Sequence, residues 1–132
     1  MAFRLNDDQR NAVVAAFGEQ FDGGTLTIFT GTQPASGGGS HTDDTLVTIT
    51  LPSPAFGAPS AGVIEKDGTW SGTAAASGVA GWARLEAAST GEIVDADVSE
   101  TGGGGEIIID DENIVGGGTV TVTAATITQP AE

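Results

Sequence analysis

Apolar and polar positions along the chain follow two periods, and the change between them marks the first boundary. Val13, Val14 and Phe17 recur at helical spacing behind the polar start Asn6-Asp7-Asp8-Gln9. Asn6 is a favourable N-cap, because its side-chain oxygen takes an amide that the first turn leaves without a partner. Asp7 and Asp8 sit where the helix dipole favours anions, and Gln9 holds the reciprocal capping-box position. Gly18 is placed to end the helix, which the pattern predicts over residues 7–17. A helix this short is marginal alone, so its apolar stripe must dock on something.

After Asp22-Gly23-Gly24 the period becomes two. In TLTIFT, Leu26 and Ile28 oppose Thr25, Thr27 and Phe29. In TLVTITL, Val47, Ile49 and Leu51 oppose Leu46, Thr48 and Thr50, so both segments read as strands with one buried face. Pro52, Pro54 and Pro59 make 52–60 an irregular connection. AGVIEKDGTWSGTAAA reads as a hairpin in which Lys66-Asp67-Gly68 turns and Trp70 opens the return. GVAGWARLEA alternates Trp82 and Arg84 against Gly81, Ala83 and Leu85, and EIIID and NIV are short strand pieces. The last strand, TVTVTAATIT, changes parity between Ala124 and Ala125, where a β-bulge would restore a single buried face. The pattern predicts an all-β fold: a β-sandwich or jelly-roll-like domain of seven or eight short strands with one short N-terminal helix. Residues 1–22 form the arm and helix, 23–132 the sandwich, within one globular domain overall.

Composition adds a constraint on the core. A chain of 132 residues buries about two thirds of its unfolded surface. With 21 Gly, five Phe, two Trp, no Tyr and one Met, however, it has few large side chains to bury. A thin core set against a high backbone entropy favours oligomerisation or docking on a partner. The charge of −14, from 18 acids against Arg4, Arg10, Lys66 and Arg84, repels nucleic acid and anionic membranes, so neither is expected as a partner. The acid excess also keeps a β-rich chain soluble. Without cysteine there are no disulfides or thiolate sites, and no apolar run approaches the roughly 18 residues of a membrane-spanning helix. MAFRLNDDQR lacks the features of a signal peptide, which predicts release in the cytoplasm unless the chain leaves within a larger particle.

The candidate chemistry is sparse. GTQPASGGGS follows a strand as phosphate loops do, but it leads into another strand, has no lysine and is followed by Asp43 and Asp44; it reads as a connection. The acidic stretch from Glu92 to Glu112 offers Asp95, Asp97, Asp110 and Asp111 as speculative calcium ligands. It lacks EF-hand spacing, and solvated acid on loops flanking strands is the expected reading. His41, the only histidine, is expected in an exposed loop, where Ser40 and Asp43 or Asp44 do not make a triad. Acid pairs for glycoside hydrolysis exist in any acidic chain, but aromatics for a sugar cleft are scarce. No enzyme activity and no cofactor are expected. Trp70 and Trp82 are expected in the core or at a subunit interface, with Arg84 on the same strand face as Trp82 and stacked on its ring.

The order of segments carries a resemblance. Arg10-Asn11 lies in the helix, FTGTQPAS ends a strand, and TLVTITL, AFG (Ala55 to Gly57) and AGVI follow. Then come WSGTAAASGVAGWAR and finally NIVGGGTVTVTAATITQP. Over nearly its whole length the chain resembles a family of small structural proteins encoded among the virion genes of tailed bacteriophages. Members often have a longer segment between the AGW and NIV strands; here it is short and acidic. The resemblance implies a non-enzymatic virion component. The leading expectation is a capsid decoration, or cement, protein that binds the outer shell as a homotrimer, with the major capsid protein of the same phage as partner. It would sit on the capsid surface after assembly in the host bacterial cytoplasm. The expected contacts are the arm residues Phe3, Arg4 and Leu5 with Arg10, Val13, Val14 and Phe17. The rival expectations are a tail baseplate or fibre-associated module and a carbohydrate- or calcium-binding β module.

Overall fold

The computed structural model describes residues 4–129. The elements run α1 (Asp7–Glu19), β1 (Thr25–Phe29), β2 (Thr45–Thr50), β3 (Val63–Glu65), β4 (Trp70–Thr73), β5 (Gly78–Val79), β6 (Trp82–Glu86), β7 (Ile93–Ser99), β8 (Ile107–Ile109), β9 (Asn113–Ile114) and β10 (Thr119–Thr128).

The helix begins as its cap predicts, with Asn6 Oδ1 accepting the Gln9 amide at 3.0 Å. It runs past Gly18, which is buried inside it. A Cβ on Gly18 would come within 2.7 Å of Ile64 and 3.3 Å of Phe56. The glycine therefore serves close packing on β3, not termination. Val14 faces the core and Phe17 packs against it, followed by the buried Phe21, whose ring lies 5.3 Å from that of Phe17. Two polar ties hold the helix: Arg10 Nε donates to the Gln129 carbonyl at 2.9 Å, and Asn11 Oδ1 accepts the Gly62 amide at 2.8 Å.

Eight strands form one mixed sheet in the order β2-β1-β6-β7-β8-β10-β3, with β4 also on β10. β3 and β4 do not pair with each other as a hairpin would. They lie along the same β10, which is long enough for both: β4 on Thr119–Val122 and β3 on Thr126–Thr128. The sheet curls until β4 meets β2, where the Ala75 amide donates to the Leu46 carbonyl at 2.8 Å. The fold is thus all-β with a short N-terminal helix. Leu26, Ile28, Val47, Ile49, Leu85, Ile109, Val122 and Trp70 fill the enclosed face. Trp70 packs edge-on to Phe56 at 5.3 Å, and its indole N–H donates to the Asp67 carbonyl.

The expected bulge in the last strand is present one residue early. The pairing with β8 shifts between Val122 and Ala124, and burial passes from Val120 and Val122 to Ala125. β7 and β8 are parallel although only residues 100–106 join them. Such a tight return needs glycine: Gly102 and Gly104 have positive φ, and Ser99 Oγ accepts the Gly105 amide at 3.0 Å.

Candidate functional site

Strand alternation sets the main polar cluster. In β6, Ala83 and Leu85 point into the core while Trp82 and Arg84 point to the opposite face. Phe29 of β1 pairs with Trp82, and on β7 Asp97 and Asp95 stand opposite Trp82 and Arg84. The glycine-rich loop between β1 and β2 folds back across this face and covers it.

Each side chain of the face grips the loop. Trp82 is fully buried, stacked on Phe29 at 4.4 Å, with His41 edge-on to its ring at 4.9 Å. Its indole N–H donates to Asp43 Oδ2 at 2.9 Å. Arg84 makes a bidentate pair with Asp95, at 2.7 and 3.1 Å, and also donates to the Gly39 carbonyl at 2.8 Å. Asp95 Oδ2 accepts the Gly38 amide at 3.0 Å, and Asp97 accepts from the Gln33 side chain. The Arg84 guanidinium lies 5.2 Å from the Trp82 ring, the stacking expected from their spacing. GTQPASGGGS is a connection, as expected, and it is clamped onto the sheet.

Electrostatics matches the geometry. The side chains of Arg84 and Asp95 are 15% and 2% exposed. Burial pushes the Asp95 carboxyl up. The Arg84 hydrogen bond, the Gly38 amide and the nearby positive charge outweigh it, so the carboxyl lies below the usual carboxylate range. The hydrogen bond to Asp95 raises Arg84 above its ordinary value against the opposing effect of burial.

Several expectations are corrected here. His41 is half-buried, edge-on against the stacked rings of Phe29 and Trp82, not exposed, because the loop that carries it closes over the aromatic pair. Its Nδ1 has no hydrogen-bond partner among the described residues, and Asp43 Oδ2 accepts from the Trp82 indole N–H. Asp95 and Asp97 lie in a strand, not in a solvated loop. Among the described residues no group of three or more His, Asp or Glu could hold a metal. The speculative calcium quartet is not assembled: Asp95 and Asp97 bind Arg84, Gly38 and Gln33, while Asp110 and Asp111 accept amides of their own turn and of Thr121. Glu100 and Glu112 each accept the other's backbone amide, pinning the loop after β7 to the turn before β9.

The expected partner contacts divide. Val14 is in the core, Phe17 is half-buried against it, and Arg10 is tied to Gln129 and Asp7. Val13 is 45% exposed, Arg4 is exposed and Leu5 half-buried, while Phe3 lies outside the described residues. Trp70, Trp82 and Arg84 all pack within the chain. Sequence reasoning missed two exposed apolar residues, Val79 in β5 and Val115 just after β9. Their only signal was a valine beside glycine in segments of two or three residues. No helix among the described residues is long and apolar enough to cross a membrane. The chain matches no protein-family model, no curated protein and no solved structure.

Proposed function

We propose that this protein is a non-enzymatic structural component of a tailed-phage virion, a capsid decoration protein that binds the outer shell as an oligomer and stabilises it. The observation that carries the reading is the ordered resemblance running from Arg10-Asn11 in the helix to NIVGGGTVTVTAATITQP at the end. The use of the reactive side chains supports it. Arg84, Asp95, Asp43, Glu100 and Glu112 are each engaged in positioning the chain's own backbone or rings.

The mechanism is area burial across neighbouring shell subunits, which adds interface against the pressure of packaged DNA. Trimerisation enlarges the contact and supplements a core with few large side chains. The clamp over Trp82 makes the loop a rigid part of the module, so docking orders little additional chain. The partner is the major capsid protein, and the place is the capsid surface.

The test is the copy number per purified particle, measured by quantitative mass spectrometry against the major capsid protein. A count on the scale of the capsid lattice supports decoration. A handful of copies moves the protein to the tail, and absence from the particle removes the reading.

A further inference from the structure

Asp-Gly occurs twice in the chain, at Asp22-Gly23 and Asp67-Gly68, and Asn-Gly nowhere. Where glycine follows aspartate, no Cβ shields its amide nitrogen, which can attack the aspartate's own carboxyl. Reaction then depends on whether the fold holds nitrogen and carboxyl together or apart. Both glycines have positive φ, 69° at Gly23 and 71° at Gly68, so glycine conformation does not separate the two sites. Their hydrogen-bond partners do.

At Asp22 the two groups are drawn away from each other. Asp22 is half-buried, its Oδ1 accepts the Ala55 amide at 2.8 Å, and the Gly23 amide donates to the Pro52 carbonyl at 3.2 Å. At Asp67 they face each other, with the Gly68 amide donating to Asp67 Oδ1 at 2.9 Å. The Asp67 amide donates to the Ala55 carbonyl at 2.8 Å, and Lys66 Nζ donates to the Gly68 carbonyl at 2.8 Å. The turn is therefore anchored on both sides of the reacting pair, which holds the nitrogen against the carboxyl it would attack. Asp67, Gly68 and Thr69 are exposed, so water reaches the site.

We infer that Asp67-Gly68 is a site of self-modification, where the folded chain converts Asp67 to isoaspartate while Asp22 is spared. The Gly68 nitrogen bonds to Asp67 Cγ and gives up its proton, and one oxygen of the protonated carboxyl leaves as water. A second water then opens the cyclic imide. Its entry at the main-chain carbonyl leaves the chain running through the former side-chain carboxyl. No oxidant, reductant or further substrate enters, and mass and charge are unchanged. Geometry is what changes: the main chain gains a methylene, and the old Asp67 carbonyl becomes a free carboxylate. That carbonyl accepts the indole N–H of the fully buried Trp70 at 3.1 Å, so the modification reaches the core. The site is independent of the protein's place on the shell.

The test incubates the full chain for weeks at neutral pH and physiological temperature, folded and, in parallel, unfolded in guanidinium chloride. Isoaspartate is read with an isoaspartyl-specific methyltransferase and located by peptide fragmentation in a mass spectrometer. In the unfolded chain the two sites are expected to react at comparable rates. In the folded chain Asp67 should outpace Asp22 by at least about tenfold. Comparable rates in the folded chain, or no product at Asp67, would overturn the inference. Asp67→Glu keeps the charge but requires a larger, slower-closing ring. Trp70 fluorescence should drift with the product in wild type and hold steady in this variant. Equal drift in both would overturn the link to the core.

Discussion

At the scale of single residues, two glycines show the difference between a turn and a close approach. Gly18 reads in sequence as a helix stop, yet it lets the helix pack on Ile64 and Phe56. Gly81 reads as an ordinary residue of a strand pattern, yet a Cβ there would collide with the backbone carbonyl of Gly31. Its amide donates to the Phe29 carbonyl at 2.9 Å, so the residue sits where the glycine-rich loop leaves β1. Backbone cannot give way as a flexible side chain can. Gly81→Ala is therefore expected to cost about 3 kcal/mol, seen as a lower urea midpoint with unchanged slope. Gly37→Ala is the control within the same loop, since a Cβ there meets nothing within 4 Å and its φ is not positive. It should remain within about 0.5 kcal/mol of wild type. Equal effects from the two would show that loop flexibility, not the crossing, sets the cost.

At the scale of elements, legibility followed local chemistry. The Asn6 cap, the β1 and β2 alternation and the bulge in β10 were all readable, because each depends on neighbours close in sequence. β7 was not, because Asp95 and Asp97 suggested solvated acid. The alternation of Val94, Ala96 and Val98 was the available signal, but the partner that makes a buried carboxylate tolerable, Arg84, comes from the adjacent strand. That partnership has a pH signature. The folded Asp95 carboxyl is held below its ordinary range, so its contribution is complete above about pH 4 to 5 and is lost as pH falls through the folded value. Asp95→Asn leaves the partly buried Arg84 without its counter-charge and should cost about 2 kcal/mol at neutral pH. In melts from about pH 7 down to about pH 2, the gap between variant and wild type should shrink below about pH 4. A gap constant across that range would mean that the pair acts through shape and not through charge.

For the whole molecule, closure of the sheet was hidden because its pairings join distant segments: β1 with β6, β3 with β10, and β4 against β2. Charge was legible from composition, and the structure adds where the cations lie. Arg10 ties the helix to Gln129, Lys66 holds the Gly68 carbonyl and Arg84 holds the loop, so these three serve local structure while most of the 18 acids face solvent. A compact chain of charge −14 is then destabilised by its own long-range repulsion. Raising NaCl from about 0.01 M to about 1 M shortens the screening length from about 30 Å to about 3 Å. The repulsion acts across the whole surface and should be screened strongly, whereas the Arg84–Asp95 pair is partly shielded from solvent and should lose less. Salt is therefore expected to raise stability by about 1 kcal/mol, or roughly 4 °C in Tm. Asp95→Asn should show nearly the same rise, since the repulsion it shares with wild type comes from the exposed acids. A fall in Tm with NaCl in wild type but not in that variant would show that this one pair outweighs the rest of the charge distribution.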